Sequence, residues 1–202
     1  MQTEKNVECP SHLAGHDMDP EHITIRPSDL RSLFYLVKNE CKDLYGPQLK
    51  EGAITLSRLE EYDQLPVGVR DSQTPGHYGV IKTEEMSHFN SAVGPHSVKK
   101  VLHPSNRQLW RSSKSPSGAI SFSEPARNSS LIGFWGLRSC DVEAIKILDG
   151  VFLESGVQDP HYQSLRENLF ILTATCSEPS AACFCTSMGH GPRAAMYLSL
   201  IH

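Results

Sequence analysis

The sequence predicts an α/β fold: a mixed or parallel sheet with flanking helices, and a cysteine cluster at the C-terminal edge of two strands. Three observations carry this. Residues 131–137 and 169–175 are apolar runs too short for helices and suited to buried strands. Between them lie a stretch with apolar residues at helical spacing and a second helix start at Asp159-Pro160, the pattern of strand, helix, helix, strand that gives parallel strands. A cysteine follows each strand, Cys140 the first and Cys176 the second.

Residues 1–26 are polar, rich in His, Asp, Glu and Pro, and read as a flexible N-terminal tail. Cys9, His12, His16 and His22 lie there, but with no second half-site and no core to support them they are not expected to hold a metal. Residues 27–125 are expected to form an N-terminal α/β part. It opens with Pro27-Ser28-Asp29 and then Leu30, Leu33, Phe34 and Val37 at helical spacing, with Ser28 or Asp29 as the N-cap. Gly46-Pro47 reads as a break, Ala53-Ile-Thr-Leu56 as a short strand, and residues 66–80 as a turn-rich segment. Val98, Val101 and Leu102 predict a short helix ended by Pro104, and the Ser-rich residues 112–123 a loop or linker.

Residues 126–193 are expected to form the cluster-binding part. After the strand at 131–137, Asp141 is placed as N-cap of a helix whose Val142, Ile145 and Leu148 share a face. Asp159-Pro160 starts a second helix through Arg166, and the strand at 169–175 ends at Cys176. If the two strands are parallel, Cys140 and Cys176 leave the sheet at one edge, which in open α/β sheets is where ligands bind. Cys183 and Cys185 lie seven and nine residues beyond Cys176, so four sulfurs are placed to converge, within roughly 6–7 Å of one another if they share a metal.

Composition narrows the function. The 202 residues carry 19 Lys and Arg against 23 Asp and Glu, a net charge of −4 that argues against nucleic-acid binding. Residues 96–114 are locally basic, with Lys99, Lys100, Arg107, Arg111 and Lys114 and no acid, and read as a solvated or partner-facing surface. The longest apolar run contains Gly133 and Gly136 and falls far short of the ~20 residues that span a membrane. The first residues lack the basic-then-apolar pattern of a secretory signal, so the chain is expected to be cytoplasmic. In that reducing compartment six cysteines point to metal or redox chemistry before disulfides.

Cys-x6-Cys-x-Cys with one remote cysteine lacks the paired knuckles of structural zinc sites and is compatible with a cubane. On spacing alone an iron–sulfur cluster, zinc and no metal all stay open. Glycines in Thr186-Ser-Met-Gly189-His-Gly191-Pro192 would let backbone N–H groups approach the sulfurs. Cys140, just before a helix, is expected to have a lowered pKa. No Ser/His/Asp or Cys/His pairing is legible, so no catalytic residue is assigned, and His96 and His103 are expected to bond locally.

Gly136-Leu-Arg138-Ser-Cys140-Asp141, Ala144-Ile-Lys-Ile-Leu-Asp149-Gly-Val-Phe152, Asp159-Pro-His-Tyr162, Arg166-Glu-Asn168, Cys176-Ser-Glu178-Pro179 and Cys183-Phe-Cys185-Thr-Ser-Met-Gly189-His-Gly191-Pro192 resemble segments of one family. So do Leu65-Pro-Val-Gly68, Ala92-Val-Gly94-Pro95-His96-Ser97 and Leu102-His103-Pro104. The family is that of the beta, iron–sulfur subunits of cytoplasmic nickel–iron hydrogenases (sulfhydrogenases) and the related A subunit of anaerobic sulfite reductase. The resemblance covers residues 27–193. It implies that Cys140, Cys176, Cys183 and Cys185 ligate a [4Fe–4S] cluster; the alternative that the spacing leaves open is zinc, in a subunit-binding scaffold without a redox role. It also implies a non-catalytic electron-transfer component, working between a flavin- and nicotinamide-binding subunit and a catalytic subunit. Two departures stand out. Ser139 replaces the family's Pro or Ala, and the Cys-x2-Cys-x2-Cys-x3-Cys-Pro runs of a ferredoxin-like domain are missing from this sequence. Residues 194–202 depart from the family pattern and are expected to form an atypical, truncated and poorly packed end.

Overall fold

The central sheet has five strands, and Cys140 and Cys176 lie just past the ends of two parallel neighbours in it. The structure, a computed structural model, describes residues 25–200 apart from 86, 92, 93, 95, 125–129 and 194–197. The tail expected over residues 1–26, with Cys9 and its three histidines, therefore lies almost wholly outside the described residues. The strands are β1 (Asp43–Lys50), β2 (Ala53–Arg58), β7 (Ile132–Leu137), β8 (Leu169–Ala174) and β9 (Leu198–Leu200), in the spatial order β2-β1-β7-β8-β9. β2 runs antiparallel to β1, whereas β1–β7, β7–β8 and β8–β9 are parallel. The fold is thus the expected α/β type with a mixed sheet. Because β1 pairs with β7, residues 27–125 and 126–193 share that sheet.

Helices cover both faces, which is why the central strand reads as a continuous apolar run. All six residues of β7 are buried. Its side chains alternate between faces as the pleat requires. Trp135, with Leu172 of β8, packs in one cluster with Leu30, Phe34 and Val37 of α1 (Pro27–Glu40). Phe34 meets Trp135 edge-on with ring centroids 5.3 Å apart. Phe134 and Ile171 face the other way, into a cluster with Val98, the N-cap of α2 (Lys99–Leu102), Leu102 at its end, Val142 and Ile145 of α3 (Ser139–Phe152), and Tyr162 of α4 (Pro160–Glu167). The connection β7–α3–α4–β8 is the predicted parallel unit.

The helix starts differ from expectation in detail. α1 is preceded by Arg26 at the N-cap, with Pro27 in the first turn and no side-chain cap, so neither Ser28 nor Asp29 caps it. In α3 the N-cap is Arg138, and Asp141 sits one turn in, its Oδ2 accepting the Arg138 N–H at 3.0 Å. Asp159 does cap α4, its Oδ1 accepting the N–H groups of His161 at 2.8 Å and Tyr162 at 3.1 Å.

Four further expectations are corrected. Gly46-Pro47 does not break the chain, because β1 runs through it. The β1–β7 pairing ends at Tyr45, so Pro47 has a strand on one side only and its missing N–H is tolerated. The turn-rich residues 66–80 contain β3 (Val69–Thr74), paired with β4 (His77–Lys82) around Pro75-Gly76. The Ser-rich stretch is also a hairpin, β5 (Arg111–Lys114) with β6 (Ile120–Ser123), every residue of which is exposed. Within the end expected to be poorly packed, residues 198–200 form β9, a parallel partner of β8. The ladder runs from Leu172–Leu198 to Ala174–Leu200, and the rest of that end, 194–197 and 201–202, lies outside the described residues.

Candidate functional site

The site begins where β7 ends. Gly136 lies at a register shift between Trp135 and Leu137 in the β7–β8 ladder, and its φ is +74°. A Cβ there would stand 2.8 Å from the Phe89 ring. This glycine permits a left-handed kink, and such bulges re-aim the residues that follow a strand. Those residues are Arg138, Ser139 and Cys140. Cys140 is the second residue of α3, anchored by Ser139, Val142 and Ile145, all buried.

The second strand delivers Cys176 two residues beyond Ala174. Its N–H donates to the Pro192 carbonyl at 3.2 Å, joining the start of the cysteine loop to its far side. Between these points the chain makes a short 3-10 turn, Thr186–Met188, with Cys185 at its N-cap and Cys183 just before it. The Cys183 N–H donates to the Ser180 carbonyl at 3.1 Å, and the His190 N–H to the Cys185 carbonyl at 3.1 Å. Gly191 has φ +88°, and a Cβ there would lie 3.0 Å from the Cys185 sulfur. The loop can therefore close over that sulfur only with glycine at this position.

Cys140, Cys183 and Cys185 line one cavity of about 310 Å³, together with Arg138, Asp141 and Ile147. Cys176 is not on its wall but interacts electrostatically with Cys183 and Cys185, while Cys140 interacts with Cys183. All four thiols are free. Among the described residues, no three His, Cys, Asp or Glu side chains are gathered as ligands of a metal ion. Three of the four predicted residues thus line one cavity, with Cys176 just past the end of β8, and they form no closed coordination set. Cys41, the remaining described cysteine, is buried elsewhere, in the cluster with Phe34 and Trp135.

The electrostatics reverse one expectation. The Cys140 thiol is not acidified by its helix; it is pushed up to about 11, by desolvation first and by the Asp141 carboxylate second. The Cys176 thiol is also raised, chiefly by burial, with Arg138 opposing and Cys183 and Cys185 adding to the rise. Burial raises the Asp141 carboxyl too, against its bonds to Arg138.

Arg138 is the residue that the sequence reading did not single out. It is 5% exposed. Its Nη1 donates to the Thr175 carbonyl at 2.8 Å, and its Nη2 donates to the carbonyls of Ser91, at 2.7 Å, and Phe89. Burial pulls its pKa below the ordinary guanidinium value, while Cys176, Asp141, Cys140 and Asp71 pull it back up. A charged residue directly after a wholly apolar strand was the available signal. Gln73 of β3 also lines the cavity, from a segment whose strand character was not recognised. His103 does not bond locally as expected; its ring stacks on Phe152, at the end of α3, with centroids 4.6 Å apart. Of the basic stretch, Arg107 pairs with Asp159 at 3.5 Å.

Among the described residues no helix is long and apolar enough to cross a membrane. No family profile and no solved structure matches the chain. The chain is similar to the sulfhydrogenase 2 subunit beta of Pyrococcus furiosus, at 47% identity over 55 residues, which is 27% of this chain and 16% of that subunit. This partial similarity to the beta subunit of a hydrogenase supports the resemblance read from the motifs, over a fraction of either protein.

Proposed function

We propose that this chain is an electron-transfer subunit, or a fragment of one, that holds one [4Fe–4S] cluster on Cys140, Cys176, Cys183 and Cys185 in a hydrogenase- or sulfite-reductase-like complex. The observation that carries the reading is the parallel β7–β8 pair, with Cys140 and Cys176 just past the two strand ends and Cys183 and Cys185 beside them. The partial similarity to a hydrogenase beta subunit agrees with it.

The donor set fits such a cluster chemically. Thiolates are its ordinary ligands, Gly191 admits backbone next to the Cys185 sulfur, and Arg138 brings a buried positive charge toward an anionic group. When bound, a cluster of this kind supplies one-electron transfer, and the protein sets its position and potential. α3 fixes Cys140. The loop between β8 and β9 presents the other three. Exposed Ile147, Phe184 and Met188 give the cavity an apolar rim against which a partner subunit would exclude water. The partners that suit this role are a flavin- and nicotinamide-binding subunit on one side and a catalytic subunit on the other.

The test is anaerobic purification of the full chain with metal and acid-labile sulfide analysis. The expected result is about four iron and four sulfide per chain with broad absorption near ~400 nm. Stoichiometric zinc with no sulfide would overturn the redox reading in favour of a scaffold.

A further inference from the structure

We propose that the buried Arg138 guanidinium is a positioning residue for the four-cysteine site, a fixed counter-charge that raises its reduction potential while its own hydrogen bonds go to backbone carbonyls. The inference rests on the cluster reading above and deepens it.

Arg138 is 5% exposed, and the hydrogen bonds of its guanidinium run to the carbonyls of Phe89, Ser91 and Thr175. Neutral acceptors orient a buried cation without neutralising it, and removing such a charge from water costs several kcal/mol unless anions stand near. Arg138 lines the same cavity as Cys140, Cys183 and Cys185, and its Nη1 bond goes to Thr175, the residue before Cys176; the groups whose charge acts on it are Cys176, Asp141, Cys140 and Asp71. Two of these are thiols of the proposed cluster. Asp141 is engaged by the Arg138 backbone N–H, at 3.0 Å. A guanidinium so held keeps its charge and its place whether or not an extra electron resides on the cysteines.

The sign follows from Coulomb's law. Each electron added to a thiolate-bound cluster makes the site more negative, so a nearby fixed positive charge favours the reduced form. No bond at Arg138 is made or broken, and no proton moves there. The three carbonyls explain why arginine stands at this position: its planar fork reaches several acceptors, which a lysine ammonium does less well. Asp141 is the opposite charge on the same turn. It lowers the potential where Arg138 raises it.

The experiment uses the full chain loaded anaerobically with ferrous iron and sulfide, with iron counted per chain and the potential read by spectroscopically monitored titration. Arg138→Gln is expected to lower the reduced-to-oxidised ratio at fixed potential at least tenfold, a shift of 59 mV for one electron. Arg138→Lys is expected to restore most of that shift, and Asp141→Asn, which keeps an acceptor for the N–H, to move the ratio upward. An unchanged potential in Arg138→Gln, or equal shifts in the Gln and Lys variants, overturns the counter-charge role. If neither Arg138 variant accumulates, Asp141→Asn decides, and an unchanged or lowered potential overturns it. A wild-type chain that takes up no iron defeats the cluster reading itself, and this inference with it. A loaded chain indifferent to these charges defeats the inference alone.

Discussion

Cys140 and the pair Cys183 and Cys185 reach the same cavity by opposite means. Cys140 is held by a helix whose inner face is core, with Val142 at 1% and Ile145 at 0% exposure. Around Cys183 and Cys185 every residue from 181 to 189 is exposed or half-buried, and the local order comes from a few backbone hydrogen bonds. One sulfur inherits its position from packing in the interior, and the others from a surface connection. A site built this way has a rigid wall and an adaptable one, so damage to the core and damage to the loop should register in different measurements.

The largest effect expected is on cofactor content. Cys140→Ser should abolish iron binding, because α3 cannot bring another thiol to that wall, whereas Cys41→Ser should leave iron content unchanged. Full iron in Cys140→Ser would break the comparison, since the loop alone would then suffice. Next comes reactivity. With its thiol at about 11, Cys140 in the iron-free chain should be alkylated at neutral pH on the order of a hundredfold more slowly than free cysteine. Its rate should keep rising to about pH 11.

Stability should separate the two walls more finely. Ile145→Ala should cost about 2–5 kcal/mol in chemical denaturation, while Phe184→Ala, at an exposed loop position, should stay within about 0.5 kcal/mol of wild type. Comparable losses would mean that the loop is as firmly packed as the helix. The smallest effect concerns the α4 cap. Burial tends to raise the Asp159 carboxyl, but the N–H groups of Tyr162 and His161 and the Arg107 cation outweigh it and hold the group below its ordinary value. A depressed carboxyl contributes stability above the unfolded-state value and loses it as pH falls through the folded one. Asp159→Ala should therefore cost about 1 kcal/mol at neutral pH, with the deficit shrinking on acidification, and Asp159→Asn should recover most of it.

The parts of this fold legible in the sequence are those where burial imposes a period. The run Ile132-Gly-Phe-Trp-Gly-Leu137 has few alternatives to a strand covered on both faces, and Val142, Ile145 and Leu148 define one helix face. The two hairpins escaped notice because, Val69 apart, their strands are exposed or half-buried: Arg111-Ser-Ser-Lys114 pairing with Ile120-Ser-Phe-Ser123 carries no buried alternation to detect. Pro47 was misread because whether a proline breaks a strand depends on which side of it is paired. At the site, the cysteine positions at the strand ends were visible from topology. Arg138 was not, since three carbonyls from two distant segments meet its side chain only in the folded chain.

β9 changes what the cysteine loop is. Parallel pairing of Leu172, Thr173 and Ala174 with Leu198, Ser199 and Leu200 makes the intervening chain a crossover with both ends clamped in the sheet. By the loop-closure relation, pinning the ends of a connection of this length removes about 3 kcal/mol of chain entropy. Folding of the sheet meets that cost before any ligand arrives, leaving less disorder for a ligand to quench. The edge strand thereby acts at a distance on affinity, as an entropic down payment on the closed loop.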